Sequence, residues 1–197
     1  TVYMMKVKNI KRMFAYSGIE HMGIVMLGVA AGGIGYYAAV LHVVLHAFVK
    51  SSLFFQFNQL YRVFQNKSIY HVGNYFKYNA TGAMVLLLGF ISSTAMPPSG
   101  LFVSEFLIFK SLFDAGQIVV LIAVLLLLTM IIWAFGKNIF KVLFIPAVGF
   151  DDSNVEKISP WESVSQFLLL AFAVYLGLNP PAVFVQLLKE SVSLLAL

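Results

Sequence analysis

The segment LHVVLHAFVKSSLFF places His42, His46 and Lys50 at i, i+4 and i+8 of an apolar run. Residues four apart share a helix face, so these groups form a stripe about 12 Å long. An imidazole exchanges protons near neutral pH and an ammonium holds one more tightly, which is relay chemistry. Either histidine taken alone reads as an interhelical hydrogen-bonder. All three in register read as an ion path, because ionisable groups inside membrane helices are costly and face interiors or water. Glu105 lies seven residues after Pro98 and is the only acid between Glu20 and Asp114. If a lysine and a carboxylate meet in apolar surroundings, each stabilises the other's charge, and moving one changes the other's proton affinity.

Six further residues are secondary. Glu20 and His21, in AYSGIEHMG, either bridge towards the basic pair Lys11-Arg12 or lie on the proton path; both readings stand. Lys11 and Arg12 themselves read as an anchor at the basic membrane face. Lys110 is five residues beyond Glu105, about 140° round the helix, so it is expected to snorkel rather than pair with that glutamate. Asp114 reads as a helix-end residue.

The composition puts these groups in a membrane. The chain has 197 residues, 60% of them apolar and 11% charged, with a mean hydropathy of +0.89. Soluble domains carry about 25% charged residues. The expected class is therefore all-α integral membrane, with the lipid bilayer as partner. The net charge of +5 is spread between apolar runs rather than clustered with stacking aromatics, which argues against nucleic acid. There is no cysteine, which excludes disulfides, thiolate metal sites and cysteine-ligated iron–sulfur clusters. No glycine-rich nucleotide loop or HExxH pattern is present. No cofactor or metal is expected in this chain, and any redox chemistry would belong to another subunit. The short basic start at Thr1, without a signal-peptide pattern, is what a fragment of a longer protein would show.

Hydrophobic runs predict helices near 13–34, 37–61, 80–96, 101–114, 117–141 and 161–178, with an amphipathic or interfacial tail at 182–196. That makes about five to six transmembrane helices. Gly28 and Gly32 have the spacing of a close helix contact or of a flexible helix end. Pro97-Pro98 either breaks one spanning helix or sits in a loop between two short ones. The basic residues favour the break. Lys6–Arg12 and Arg62–Lys77 lie two crossings apart and share a side. Lys137 and Lys141 join them only if 80–114 is one interrupted span. Asn66-Lys67-Ser68 and Asn79-Ala80-Thr81 match the glycosylation triplet by chance, being on the inner face. Asp151, Asp152 and Glu156 read as a solvated loop, since calcium-loop spacing and its glycine are missing.

Three segments together resemble a known family: KRMFAYSGIEHMG (11–23), HVVLHAFVKSSLFF (42–55) and AMPPSGLFVSEFLIFKS (95–111). They follow the order of the antiporter-like subunits found in the membrane arm of respiratory complex I, in Mrp-type Na⁺/H⁺ antiporters and in energy-converting hydrogenases. The IEHMG wording is most similar to the hydrogenase-4 branch. The resemblance implies inverted five-helix repeats, each with a broken helix, forming two linked half-channels. Residues 1–145 would be the second half-channel repeat, and 146–197 a loop, a transmembrane helix and an interfacial tail. The first repeat is not present in this sequence, so the chain would supply one half-channel only.

By the same resemblance Lys50 and His46 belong to a hydrophilic axis, Glu105 takes the broken-helix position, and Lys11 is raised to a proton-path candidate. The expected function is a proton-translocating subunit of a redox-driven complex, of the NADH:quinone oxidoreductase or hydrogenase kind, in a bacterial or archaeal inner membrane. Protons would pass along His42, His46 and Lys50 towards Glu105. Its partners would be other membrane-arm subunits and a redox arm, with no catalysis by this chain alone. The rival readings are a Na⁺/H⁺ antiporter subunit without redox coupling and a non-conducting scaffold.

Overall fold

Asn9 starts the first helix three residues earlier than the hydrophobic pattern predicts. Its side chain accepts from the Arg12 amide at 3.2 Å. The segment just before it pairs with a loop: Ile10 N–H donates to Lys67 C=O at 3.0 Å, and Ile69 N–H to Lys8 C=O at 2.9 Å. Lys11 and Arg12 therefore sit in the first helical turn, not ahead of it. This computed structural model describes residues 6–147, 149–150 and 155–195. Asp151 and Asp152, expected in a solvated loop, lie outside the described residues. Glu156 is described and pairs with Arg62.

The helices in chain order are α1 (Ile10–Ala31), α2 (Ile34–Phe64), the short α3 (Tyr75–Tyr78), α4 (Ala80–Ser93), α5 (Gly100–Asp114) and α6 (Ile118–Phe144). A 3₁₀ turn, Pro160–Ser163, leads into α7 (Val164–Leu178), and α8 (Ala182–Leu195) follows. Among the described residues the only β-type contact is the isolated Asn9–Ser68 bridge. Four stretches are long and apolar enough to cross a membrane: Ile10–Ala31, Ile34–Phe64, Ile118–Phe144 and Pro160–Leu178.

The chain reverses between α1 and α2 at Gly32 (φ 73°) and Gly33 (φ 55°), left-handed conformations that L side chains rarely adopt. Gly28 makes the close approach, against the Gly35 carbonyl and Ile108. Of the two glycines with close-contact spacing, Gly28 thus packs and Gly32 turns. α2 is the central helix, with α1, α4, α5 and α7 packed round it. Phe14 locks α1 to its neighbours, its ring centroid 4.1 Å from that of Phe57 on α2 and 4.5 Å from that of Phe135 on α6.

α4 stops at Ser93 and α5 restarts after Ser99, whose hydroxyl accepts from the Phe102 amide at 3.2 Å. Pro97 and Pro98 cause the gap. Neither has an amide hydrogen, so the carbonyls four residues earlier, Ser93 and Thr94, lack their helical donors. Lys8 and Lys141 both lie over the Tyr70 ring, at 5.5 and 4.3 Å. The end of α6 therefore returns to the basic face where α1 begins. α4 and α5 together make one interrupted crossing, as the distribution of basic residues predicts.

α6 turns Val119, Ile122 and Leu126 outward. α7 closes the other flank, packed on α2 and α5. There Gly177 meets Gly100 backbone to backbone, and a Cβ on either would collide with the opposite main chain. Gly177→Leu is accordingly expected to destabilise the bundle by about 1–3 kcal/mol or more, against a smaller loss for Gly177→Ala. Thermal unfolding of the detergent-solubilised protein measures both.

Candidate functional site

Two antiparallel helices bring the chemistry together. α1 carries Lys11, Phe14, Ser17 and His21 at spacings of three, three and four, along one face. α2 runs the other way with His42, His46 and Lys50. Lys50 meets the Phe14–Ser17 level of α1, and the histidines meet His21. Both faces are interior: Ser17, His21, His42, Lys50 and Glu105 are all buried, and His46 is half-buried.

The Lys50 ammonium donates to the Phe14 carbonyl at 2.9 Å and to the Ser17 hydroxyl. It also stands 5.6 Å from the Phe14 ring centroid. Lys50 therefore does not pair directly with Glu105, the meeting that would have coupled their charges. Glu105 instead faces α1, with its Oε1 3.6 Å from His21 Nδ1.

His21 is the hub. Its Nε2 lies 2.9 Å from the Ser93 carbonyl, the acceptor left open by Pro97. Its Nδ1 lies 3.1 Å from His42 Nε2. His42 Nδ1 in turn lies 2.9 Å from the Ser104 hydroxyl, itself 2.9 Å from the Leu101 carbonyl. The His46 ring is 4.8 Å from that of His21, centroid to centroid.

Donor counting gives these contacts two proton states. A carbonyl cannot donate, so His21 Nε2 carries a hydrogen. With His21 neutral, its Nδ1 accepts from His42 Nε2–H, and His42 Nδ1 accepts from Ser104 O–H. With His21 an imidazolium, Nε2–H still donates to Ser93 and the two bonds of His42 reverse: His21 Nδ1–H donates to His42 Nε2, and His42 Nδ1–H donates to Ser104, whose own hydrogen goes to Leu101. The same heavy-atom positions serve both states, which differ by one proton. The added charge sits beside Glu105. Among the described residues four buried side-chain atoms have no hydrogen-bond partner: Glu105 Oε1, His46 Nε2, Gln56 Oε1 and Gln166 Oε1; the first two concern this site. Both lie at this junction and remain open to a proton or to water.

The junction also has the composition of a metal site. His21, His42 and Glu105 offer ligand atoms within 4.8 Å of one another. The two inner nitrogens, however, already engage each other at hydrogen-bond distance.

Glu20 lines a cavity of about 190 Å³ between α1 and α6, within electrostatic reach of both Lys50 and Glu105. Glu105 lines a second cavity of about 190 Å³, between α5 and α6, and Leu128 of α6 borders both. Lys11 is exposed on a cavity of about 350 Å³ at the basic end. Lys110 pairs with Asp114 at the surface, 2.5 Å apart, and does not reach Glu105.

One polar network falls outside the sequence reading. Gln56 donates to the Tyr75 hydroxyl at 2.7 Å, Asn79 to Gln59 at 3.1 Å, and Ser163 to Gln59 at 3.2 Å. All are buried. Asn79 also caps α4 through the Gly82 amide at 2.9 Å. The network continues the polar face of α2 towards Arg62, which holds Glu156 and Glu162 at the surface. The signal for it was the pair of amides Gln56 and Gln59, further along the helix that carries His42, His46 and Lys50. The signal for Ser104 and Ser17 was adjacency, one beside Glu105 and one a helical turn from His21.

Comparison with known proteins matches this architecture. The pattern described as NADH:quinone oxidoreductase/Mrp antiporter, TM, covers residues 2–131. The chain is 31% identical over 185 residues to the hydrogenase-4 component F homolog of Methylacidiphilum infernorum, covering 90% of this chain and 37% of that protein. It is 26% identical over 195 residues to F(420)H(2) dehydrogenase subunit M of Methanosarcina mazei, covering 96% and 38%. The chain thus spans under two fifths of the length of these relatives. In fold it is similar to a chain of the Mrp complex from Dietzia sp., with TM-score 0.81 and 16% identity, over 98% of this chain and 43% of that one. It is likewise similar to a chain of respiratory complex I from Thermus thermophilus, with TM-score 0.78 and 23% identity, over 98% and 41%. The chain is an integral membrane protein of the NADH:quinone oxidoreductase/Mrp antiporter transmembrane family.

Proposed function

We propose that this chain forms one half-channel of a proton-translocating subunit in a redox-driven membrane complex, as its hydrogenase- and dehydrogenase-linked relatives suggest. The observation that carries the reading is the buried His42–His21–Glu105 junction, set where Pro97 interrupts the spanning helix. A proton delivered at the Ser104 end passes to His42 Nδ1 as His42 Nε2–H passes to His21 Nδ1. His21 then yields that proton to Glu105, and exchange of the remaining His42 hydrogen from Nδ1 to Nε2 through water restores the starting tautomer. Lys50, with His46 between it and His21, is a second proton-holding group on the same axis. Lys11 marks its basic-side end. The imidazolium formed at His21 lies beside the Glu105 carboxylate, which limits the net charge placed in the apolar interior during the transfer.

A proton is the favoured ion because the junction is mainly nitrogen. Hard cations such as Na⁺ take shells of oxygen ligands, and here one carboxylate faces two imidazoles. No cofactor is assigned to the chain; its polar groups move protons, and electrons would travel in a partner.

The test is donor-driven acidification of closed membrane vesicles carrying the intact complex, with and without Na⁺, for wild type and His21→Gln. The expected result is Na⁺-independent proton movement that needs an electron donor and falls at least several-fold in His21→Gln. Proton movement driven by Na⁺ with no donor would establish the antiport reading instead. Undiminished movement in His21→Gln with normal assembly would leave the junction a packing element of a scaffold. A milder effect is expected for Ser104→Ala, which removes one bond from the chain and should slow translocation a few-fold without abolishing it.

A further inference from the structure

At the basic end, four lysines converge on one concavity that the proton path does not use. Lys6 and Lys8 approach it from the segment before α1, Lys137 and Lys141 from the last turns of α6, around a space of about 720 Å³. No acidic residue lines it, and among the described residues none of the four makes an ion pair. Three of them stand over aromatic faces. Lys8 and Lys141 share Tyr70, at 5.5 and 4.3 Å, and Lys137 stands 5.5 Å from the Trp133 ring. Two ammonium groups on one ring repel each other unless an anion lies between them. Arg62, at the same face, shows the contrast, because Glu156 and Glu162 already neutralise it.

Two features narrow the anion's chemistry. The cations form a rim while the lining between them is largely apolar, including Ile69 and Ala134. Trp133 lines it too, exposed, about three turns before the end of a membrane-spanning helix, deeper than Lys137 and Lys141, where a lipid's glycerol and upper chains would lie. A free phosphate would use the rim and leave the apolar lining wet. A lipid uses both. Basic pockets between transmembrane helices on this side suit anionic headgroups.

We infer that the pocket formed by Lys6, Lys8, Lys137, Lys141, Tyr70 and Trp133 binds the phosphodiester headgroup of an anionic phospholipid, with the glycerol end of its chains along the α6 flank. The lipid would tie the segment before α1 to the end of α6. It shares no residue with the His21 junction, so it stands or falls separately from the proton reading.

The test is photocrosslinking of the intact complex in vesicles with diazirine-bearing phosphatidylglycerol or phosphatidylcholine, and mapping of the labelled peptides. Labelling at Tyr70 and at 133–141 should be several-fold stronger with phosphatidylglycerol. It should fall to the phosphatidylcholine level in Lys137→Gln/Lys141→Gln and persist in Lys137→Arg/Lys141→Arg, which also controls for folding. Equal labelling by both lipids, or labelling unchanged in the glutamine variant, would overturn the proposal. Displacement of the lipid by inorganic phosphate would overturn it too, placing a soluble anion there. So would labelling blocked by a neighbouring polypeptide's acidic surface.

Discussion

Glu105→Gln is expected to abolish proton translocation by the assembled complex while leaving the complex intact. The substitution keeps the shape of the side chain and removes its ability to take a proton. Glu105 is buried, its Oε1 lies 3.6 Å from His21 Nδ1, and no hydrogen bond holds that oxygen. Substitution therefore breaks no hydrogen bond at that oxygen, and a glutamine amide can occupy the same space. A positioned acid or base group contributes on the order of 100-fold or more to a proton-transfer rate. The loss should be of that size, read as proton movement per electron donor oxidised. Assembly, read by co-purification of the partner subunits, should stay near wild type. A joint loss of assembly and translocation would instead assign Glu105 to packing.

The second large effect is at Lys50. Lys50→Met is expected to abolish translocation with little loss of stability. Methionine fills most of the volume of the buried stem, and removing a desolvated ammonium offsets the lost bonds to Phe14 and Ser17. Lys50→Ala should pump no better, but it adds a cavity cost of about 2–4 kcal/mol, so methionine separates the two effects. Lys50→Arg is the sharper control. A guanidinium keeps the positive charge and does not release its proton in a protein. If Lys50 serves as a proton station, arginine fails as completely as methionine. If it acts only through its field on the histidines, arginine restores most of the rate.

Much of this site was legible in residue types and spacing. His42, His46 and Lys50 fell on one face because 3.6 residues per turn leaves no alternative in so long a helix. The interrupted span followed from two prolines and from which loops carry lysines. What spacing could not supply was partnership between helices. His21 sat next to Glu20, and nothing local said which would turn inward; packing of α1 on α2 and α5 decided it, burying His21 and sending Glu20 towards α6. The expected approach of Lys50 to Glu105 failed for a similar reason. Lys50 lies two turns along α2 from His42, and the Phe14 carbonyl and Ser17 on α1 were nearer to hand. The role of the Ser93 carbonyl was readable in principle from Pro97, whose missing amide frees the acceptor four residues back. That His21 takes it is a tertiary fact.

The most direct measurement is the protonation of Glu105 itself during turnover. Difference infrared spectroscopy of the intact complex, with and without electron donor, follows the carboxylic-acid stretch of buried side chains. A band that appears or vanishes with turnover, is absent in Glu105→Gln and is altered in His21→Gln is the predicted result. A Glu105 band that stays constant through turnover, while protons still cross the membrane, would contradict a relay through this junction.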